Sequence, residues 1–187
     1  MHEPAGLTLP DLLSDGLDVV FVGINPSIYS AERGQYFARP GNRFWPCISR
    51  SVLSQRARRA LKVTQLGPEH GSVLLQYGIG FTDVVKRATP KASDVKASEF
   101  VAGVAALLEK IERYRPRVAC FHGVTGYRYV HDLIAGKSVE VALGLQVAKL
   151  GATRVFLVPN PSGANAHFTR ADQTQWYDAL AACLLER

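Results

Sequence analysis

The run Gly23-Ile24-Asn25-Pro26-Ser27 follows directly on an apolar stretch and combines features that suit a reaction centre. Gly23 permits close backbone approach, and Pro26 stiffens the turn after Asn25. The Asn25 amide can hold a water molecule or a ligand by hydrogen bonds. It has no useful titration and cannot act as a strong general base. Asn and Pro are also ordinary turn residues, and a plain turn after a strand is the alternative. Next comes Tyr36-Phe37-Ala38-Arg39-Pro40-Gly41-Asn42-Arg43-Phe44-Trp45, dense in aromatic and polar residues. Aromatic faces stack readily on nucleobases, so one of these rings is a candidate to face a pocket while others pack in the core. A third stretch is Asn160-Pro161-Ser162-Gly163-Ala164-Asn165-Ala166-His167. Its small polar residues and backbone N–H groups suit close approach to phosphate, or make a strand-to-helix connection.

These segments need elements to position them. Residues 17–24, 117–121 and 154–158 read as short buried strands, each ending in a Gly, Asn or Pro loop. A helix is expected over 98–115, with Ser98 as N-cap and with Val101, Val104, Leu107, Leu108 and Ile111 on one face. Thr169 with Asp172 forms a capping-box pattern before a last helix striped by Trp176, Leu180, Cys183 and Leu184. Further helices are expected over 43–54 and 125–134, with loops over 64–72 and 86–93. Strands alternating with helices predict an α/β/α sandwich around a short, mainly parallel sheet. In such sheets ligands bind beyond the carboxyl ends of the strands. That places residues 23–27, His122-Gly123 and residues 160–163 at one rim.

The composition agrees with a nucleic-acid partner. The 187 residues fit a single domain, 1–187, with the first dozen residues loosely held. Lys and Arg number 22 against 16 Asp and Glu, for a net charge of +6. Such a balance suits an anionic partner. The three cysteines, Cys47, Cys120 and Cys183, are scattered without a CxxC pair. This argues against a disulfide framework and a cysteine-bound metal, and for a reducing compartment. The N-terminal residues show no signal-peptide pattern, and no stretch is apolar for long enough to cross a membrane. A cytoplasmic protein is expected, nucleoid-associated in a bacterium.

The first rim loop with its aromatic stretch, the segment Tyr77-Gly78-Ile79-Gly80-Phe81-Thr82-Asp83 and the third rim loop, taken in order, resemble the mismatch-specific thymine/uracil DNA glycosylases. These are one branch of the uracil-DNA glycosylase superfamily. The resemblance runs from about Val19 to the last helix. It implies an α/β/α sandwich, no metal or cofactor, and hydrolysis of the bond between a base and deoxyribose to leave an abasic site. It makes Asn25 the residue that positions the attacking water and puts the backbone near Ile24 against the base edge. Phe37 matches the aromatic that stacks on the flipped base, and Asn42 a pocket-side Asn. Thr89 matches a threonine near the water. Asp83 stands where animal members carry Asn, and either accepts a hydrogen bond from the water or caps the following turn. His122 also stands where animal relatives carry Asn, and binds the base or a loop backbone.

Two departures bear on substrate. Ser27 replaces the usual Gly, where it narrows the pocket or adds a hydrogen bond to the base. Where relatives insert a long side chain into the DNA gap, this chain has Ala164-Asn165-Ala166. Either the enzyme works on unpaired or single-stranded DNA, or His167 or Phe168 fills the gap. Asn160, Ser162, Gly163, Ala164, Asn165 and His167 are the expected DNA-binding residues, with Arg39, Arg43, Arg128 and Arg170 as candidate phosphate contacts. The run Arg56, Arg58 and Arg59 reads as a solvated helix face. The expected activity is that of a monomeric, monofunctional glycosylase on uracil, in G:U mismatches or single strands. The alternatives are a non-catalytic binder of damaged bases or abasic sites on the same fold, and an enzyme of small nucleosides.

Overall fold

The computed structural model describes residues 6–136 and 140–186. Among these, a five-stranded sheet is built from β1 (Val19–Gly23), β2 (Ile79–Asp83), β3 (Val118–His122), β4 (Gly144–Leu150) and β5 (Thr153–Val158). The strand order is β2-β1-β3-β5-β4. The first four in that order run parallel, and β4 pairs antiparallel with β5 at one edge.

The alternation of side chains along β1 explains why its sequence is apolar without a break. Val19 and Phe21 join a cluster with Phe44, Trp45, Ile48, Tyr177 and Leu180. Val20 and Val22 join a second cluster with Val104, Leu107, Ile111, Tyr127 and Val130. Successive residues of a strand point to opposite faces, so a sheet covered on both sides must be apolar at every position. Helices α2 (Phe44–Ile48) and α6 (Arg170–Leu185) supply the first cover, and α4 (Ala97–Tyr114) and α5 (Val124–Ala135) the second. The molecule is thus the expected three-layer α/β/α sandwich. Two short helices, α1 (Ile28–Arg33) and α3 (Gln55–Leu61), complete the set among the described residues.

Several local expectations shift. Helix α4 begins one residue before Ser98, and its N-cap is Lys96, whose backbone N–H donates to Glu99 at 2.9 Å. Phe100 turns inward there, while Val101 stays exposed. The expected helix over 43–54 breaks: α2 stops at Ile48, and a separate 3-10 turn covers Val52–Ser54. The capping box at Thr169 forms as expected, with Asp172 N donating to Thr169 Oγ1 at 3.1 Å. Of the first dozen residues, 1–5 lie outside the described residues. The rest are tied in: Leu9 is buried, and Leu12 and Phe81 exchange backbone hydrogen bonds of 2.9 and 2.8 Å.

Candidate active site

The sheet register brings the carboxyl ends of the strands to one level. Gly23 stands opposite Asp83, and His122 opposite Val158. The loops leaving β1, β2, β3 and β5 enclose a pocket of about 340 Å³. Its wall includes Ile24, Asn25, Ser27, Tyr36, Phe37, Arg39, Asn42, Asp83, Thr89, His122, Asn160 and Ser162. The glycine at 23 is a requirement of this packing, since a Cβ there would lie 2.4 Å from Asp83 Oδ1.

Asn25 is held by its amide nitrogen. Nδ2 donates to Thr89 Oγ1 at 2.7 Å, to the Arg87 carbonyl at 3.1 Å and toward the Pro26 carbonyl at 3.3 Å. The Thr89 hydroxyl has already given its hydrogen to the Lys91 carbonyl, at 2.7 Å. Every neighbour on that side is therefore an acceptor, which fixes the amide orientation. Oδ1 meets no donor among the described residues and is left as an acceptor on a residue of the pocket wall. Thr89 is buried with its hydrogen committed, so it orients Asn25.

Asp83 is only 4 % exposed. Its Oδ2 has no hydrogen-bond partner among the described residues. It accepts no N–H from the following turn, so the capping alternative has no bond behind it. Burial pushes its carboxyl up to about 7; the Lys86 ammonium, 3.8 Å away, pulls the other way, and the Asp11 charge adds to the rise. Lys86 is drawn off toward Asp11, at 2.6 Å, and Lys110 holds the second Asp11 oxygen at 2.7 Å.

His122 is buried, with Nε2 3.1 Å from the Tyr177 hydroxyl and Nδ1 unpartnered among the described residues. Burial lowers its pKa to about 3, so the ring is neutral. Phe37 is half-buried, stacks on Phe44 at 4.3 Å and meets the His122 ring edge-on at 5.1 Å. Its φ of 54° is left-handed, an uncommon and strained state for a bulky residue. Phe44 and Trp45, in contrast, pack in the core. Asn42 Oδ1 accepts from Phe44 N at 2.9 Å. Ser27 caps α1, its Oγ accepting from Ser30 N at 3.2 Å and donating to Ser30 Oγ at 3.1 Å. That accounts for the serine without calling on substrate. The Ile24 side chain packs beneath α5 against Gly126, where a Cβ would come within 2.8 Å of it, and against the second core cluster.

The third rim loop divides in two. Asn160 and Ser162 line the pocket; Gly163, Ala164, Asn165 and His167 are not part of its wall. An Asx turn, Ser162 N to Asn160 Oδ1 at 2.9 Å, shapes the first part. Asn165 Nδ2 returns to the Asn160 carbonyl at 3.0 Å, and its Oδ1 accepts from His167 N at 3.2 Å. Gly163 packs against the Gly41 backbone, and a Cβ there would come 2.7 Å from the Gly41 carbonyl oxygen. Arg43 braces the same junction through the Phe168 and Gly163 carbonyls. Its role here is structural, unlike the expected phosphate contact. Arg39, Arg128 and Arg170 are exposed. Tyr177, which meets His122 from α6, and Gln173, which donates to the Pro159 carbonyl, lie behind the pocket wall and were not among the sequence candidates.

Among the described residues, no group of three or more His, Cys, Asp or Glu side chains is placed to hold a metal ion. No helix of the described residues is long and apolar enough to cross a membrane. Among solved structures, the chain is similar in fold to a candidate uracil DNA glycosylase from Methanosarcina acetivorans, solved in solution by NMR. The TM-score is 0.56 at 22% identity, over 93% of this chain and 97% of that one. The sequence model of the uracil DNA glycosylase superfamily matches residues 10–183, from the segment before β1 into the last helix. With nearly the whole chain matched and the sheet, rim loops and pocket in place, the chain belongs to the uracil DNA glycosylase superfamily.

Proposed function

We propose that this chain is a monofunctional DNA glycosylase, a single domain acting as a monomer. It hydrolyses the N-glycosidic bond of uracil in G:U mismatches or single strands and leaves an abasic site, as in the mismatch-specific branch of the superfamily. The observation that carries the reading is the locked Asn25 amide, which leaves an acceptor oxygen on the wall that Asp83 and Phe37 share.

The chemistry follows from that arrangement. The target nucleotide leaves the stack, because its C1′ is out of reach inside a duplex. Phe37 takes one face of the base. Asn25 Oδ1 accepts a hydrogen bond from a water and orients it toward C1′. The water oxygen bonds to C1′ as the bond from C1′ to the base breaks, and the base departs with the electron pair. Backbone dipoles near Ile24 stabilise the negative charge on the leaving base. The ionised Asp83 carboxylate takes the proton released by the water.

The reading is tested with oligonucleotides containing uracil, thymine opposite guanine, hypoxanthine or ethenocytosine, single- and double-stranded, scored for abasic sites. Uracil is expected to react, and free deoxyuridine is expected to remain uncleaved. Binding without cleavage would make the protein a damaged-base or abasic-site binder instead.

Two further outcomes follow. The third-loop tip, Ala164-Asn165-Ala166, with both alanines exposed, carries no long side chain to fill the gap left in the duplex, and His167 is its nearest exposed ring. Initial rates should therefore be higher on single-stranded or G:U substrate than on fully paired A:U duplex. A strong preference for paired A:U would contradict this. Asp83 must be ionised to accept the proton, so the single-turnover rate should rise through about pH 7. Lys86→Ala removes the nearby positive charge that favours the carboxylate. Its profile should shift to higher pH by a substantial fraction of a unit, with the plateau rate largely kept.

A further inference from the structure

Asp11 is not part of the pocket wall; it sits on the segment that runs along the free edge of β2. Leu12, next to it, exchanges backbone hydrogen bonds with Phe81 and so fixes that segment against the strand. The Asp11 carboxylate is the meeting point of donors from β2, from the loop after it and from α4. Thr82 Oγ1 and Lys86 Nζ reach its Oδ1 at 2.7 and 2.6 Å, and Lys110 Nζ reaches its Oδ2 at 2.7 Å. Burial works against its charge, but the two lysines and the threonine hold the carboxyl below the usual carboxylate range, so it is an anion near neutrality.

Lys86 is the partner that two carboxylates compete for. Its ammonium is bonded to Asp11 and donates to the Tyr36 hydroxyl at 3.2 Å. Asp83 Oδ2 stands 3.8 Å away, beyond hydrogen-bond reach, and has no partner among the described residues. A shift of about 1 Å would turn that gap into a charge-assisted hydrogen bond. A buried carboxylate left unpaired is costly, and a lysine stem is long and flexible enough to follow it. What holds the ammonium back is the second carboxylate.

We propose that Asp11 is a positioning residue: by binding Lys86 it keeps the ammonium off Asp83 and leaves Oδ2 open to the attacking water. This rests on the glycosylase reading, in which Asp83 takes the proton of the water, and adds a residue outside the pocket that keeps the base available. An ammonium bonded to Oδ2 would occupy the oxygen the water needs and weaken it as a base. Lys110 and Thr82 complete the anchor, since they hold Asp11 ionised and in place. The charges that act on Asp83 are thus those of Lys86, Asp11 and Lys110; the Tyr36 phenol beside them, pushed up by burial and by both carboxylates, is neutral.

The test follows single-turnover uracil excision against pH for wild-type protein, Asp11→Asn, Lys86→Ala and the double variant. Asn at position 11 keeps an oxygen for Thr82 and the Leu12–Phe81 backbone pair, so the segment stays in place. Loss of the Asp11 charge and arrival of the Lys86 ammonium both favour the ionised form of Asp83. In Asp11→Asn the midpoint should therefore fall from about 7 by about 1–2 pH units, and the plateau rate should fall about 10-fold. In the double variant no ammonium remains to be restrained, and the plateau should return to that of Lys86→Ala. A purely structural loss at Asp11 would not be cured by removing a second residue. Unchanged midpoint and plateau in Asp11→Asn, or a double variant as slow as Asp11→Asn alone, would overturn the proposal. Carbon-13 NMR of the Asp83 carboxyl follows the same midpoint without turnover, and an Asp83 titration unmoved by Asp11→Asn would overturn it as well. Wild-type protein that excises no uracil would bring down the glycosylase reading, whereas the NMR comparison still decides whether Asp11 holds Lys86 away.

Discussion

Asn25→Ala is expected to remove uracil excision, with a loss of about 10³-fold in the single-turnover rate, while affinity for uracil-containing DNA stays within a few-fold of wild type. The size of the effect follows from what the amide does. Its Nδ2 spends its hydrogen bonds on Thr89, Arg87 and Pro26, within the protein itself. In the proposed mechanism its Oδ1 orients a water that is poorly placed without it. An interaction made chiefly in the transition state lowers the rate when lost and leaves ground-state binding alone. The check is a quench assay of abasic-site formation beside a binding titration with the same oligonucleotide. An Asn25→Ala protein with full activity would remove Asn25 from the mechanism.

Asp83→Asn should separate activity from stability. Excision falls by about 10²- to 10³-fold, because an amide cannot take the proton from the water. Stability moves the other way above neutrality. Folding raises the Asp83 carboxyl from 3.8 to about 7 by burial. Below pH 3.8 folded and unfolded chains both keep the proton, and the carboxyl costs nothing. As pH rises through about 7, the unfolded chain has already ionised while the folded one resists, and stability is lost. At about 1.4 kcal/mol per pH unit the ceiling on this cost is about 4 kcal/mol. An Asn leaves its own polar atoms in the same buried place, so the expected gain at pH 8 is about 1–2 kcal/mol, or several degrees in melting temperature. The gain should vanish in thermal melts at acid pH. A variant less stable than wild type at pH 8 would mean that the carboxylate is held by a partner rather than strained by burial.

Much of the frame was legible in the sequence, and the omissions have physical causes. β1, β3 and β5 each carry an unbroken apolar run, residues 19–22, 118–121 and 155–158, because both faces are covered there, and such runs stand out. β2 has two polar positions, Thr82 and Asp83, and a glycine within five residues, so its strand character is hidden although every residue is buried. β4 lies at the sheet edge with most side chains exposed, so its burial pattern is weak. The capping box at Thr169 was readable because both partners lie within one helical turn. The end of α4 was less so, since Lys96 serves as N-cap through its backbone alone.

At the site, local sequence reached Asn25, Phe37 and Asn42, which lie in or just before one aromatic-rich segment. It did not reach the arrangement around them. Thr89 is 64 residues from Asn25, and Tyr177 is 55 from His122. Ser27, Thr89 and Arg43 read as neighbours of the base, the water and a phosphate, and each is engaged in holding the protein's own backbone or side chains. Asp83 changed in the opposite direction: a residue with a plausible capping role has no cap to make and a bare oxygen in the wall. Only the fold brings β2 beside β1 and drives that carboxyl under cover.

The most direct measurement is release of free uracil from a G:U duplex by the wild-type protein in molar excess, at pH 8, with abasic sites counted in the same samples. The account predicts uracil and abasic sites in equal amounts, accumulating in a single exponential, and neither with Asn25→Ala. DNA that is bound and retained intact by wild-type protein would contradict it.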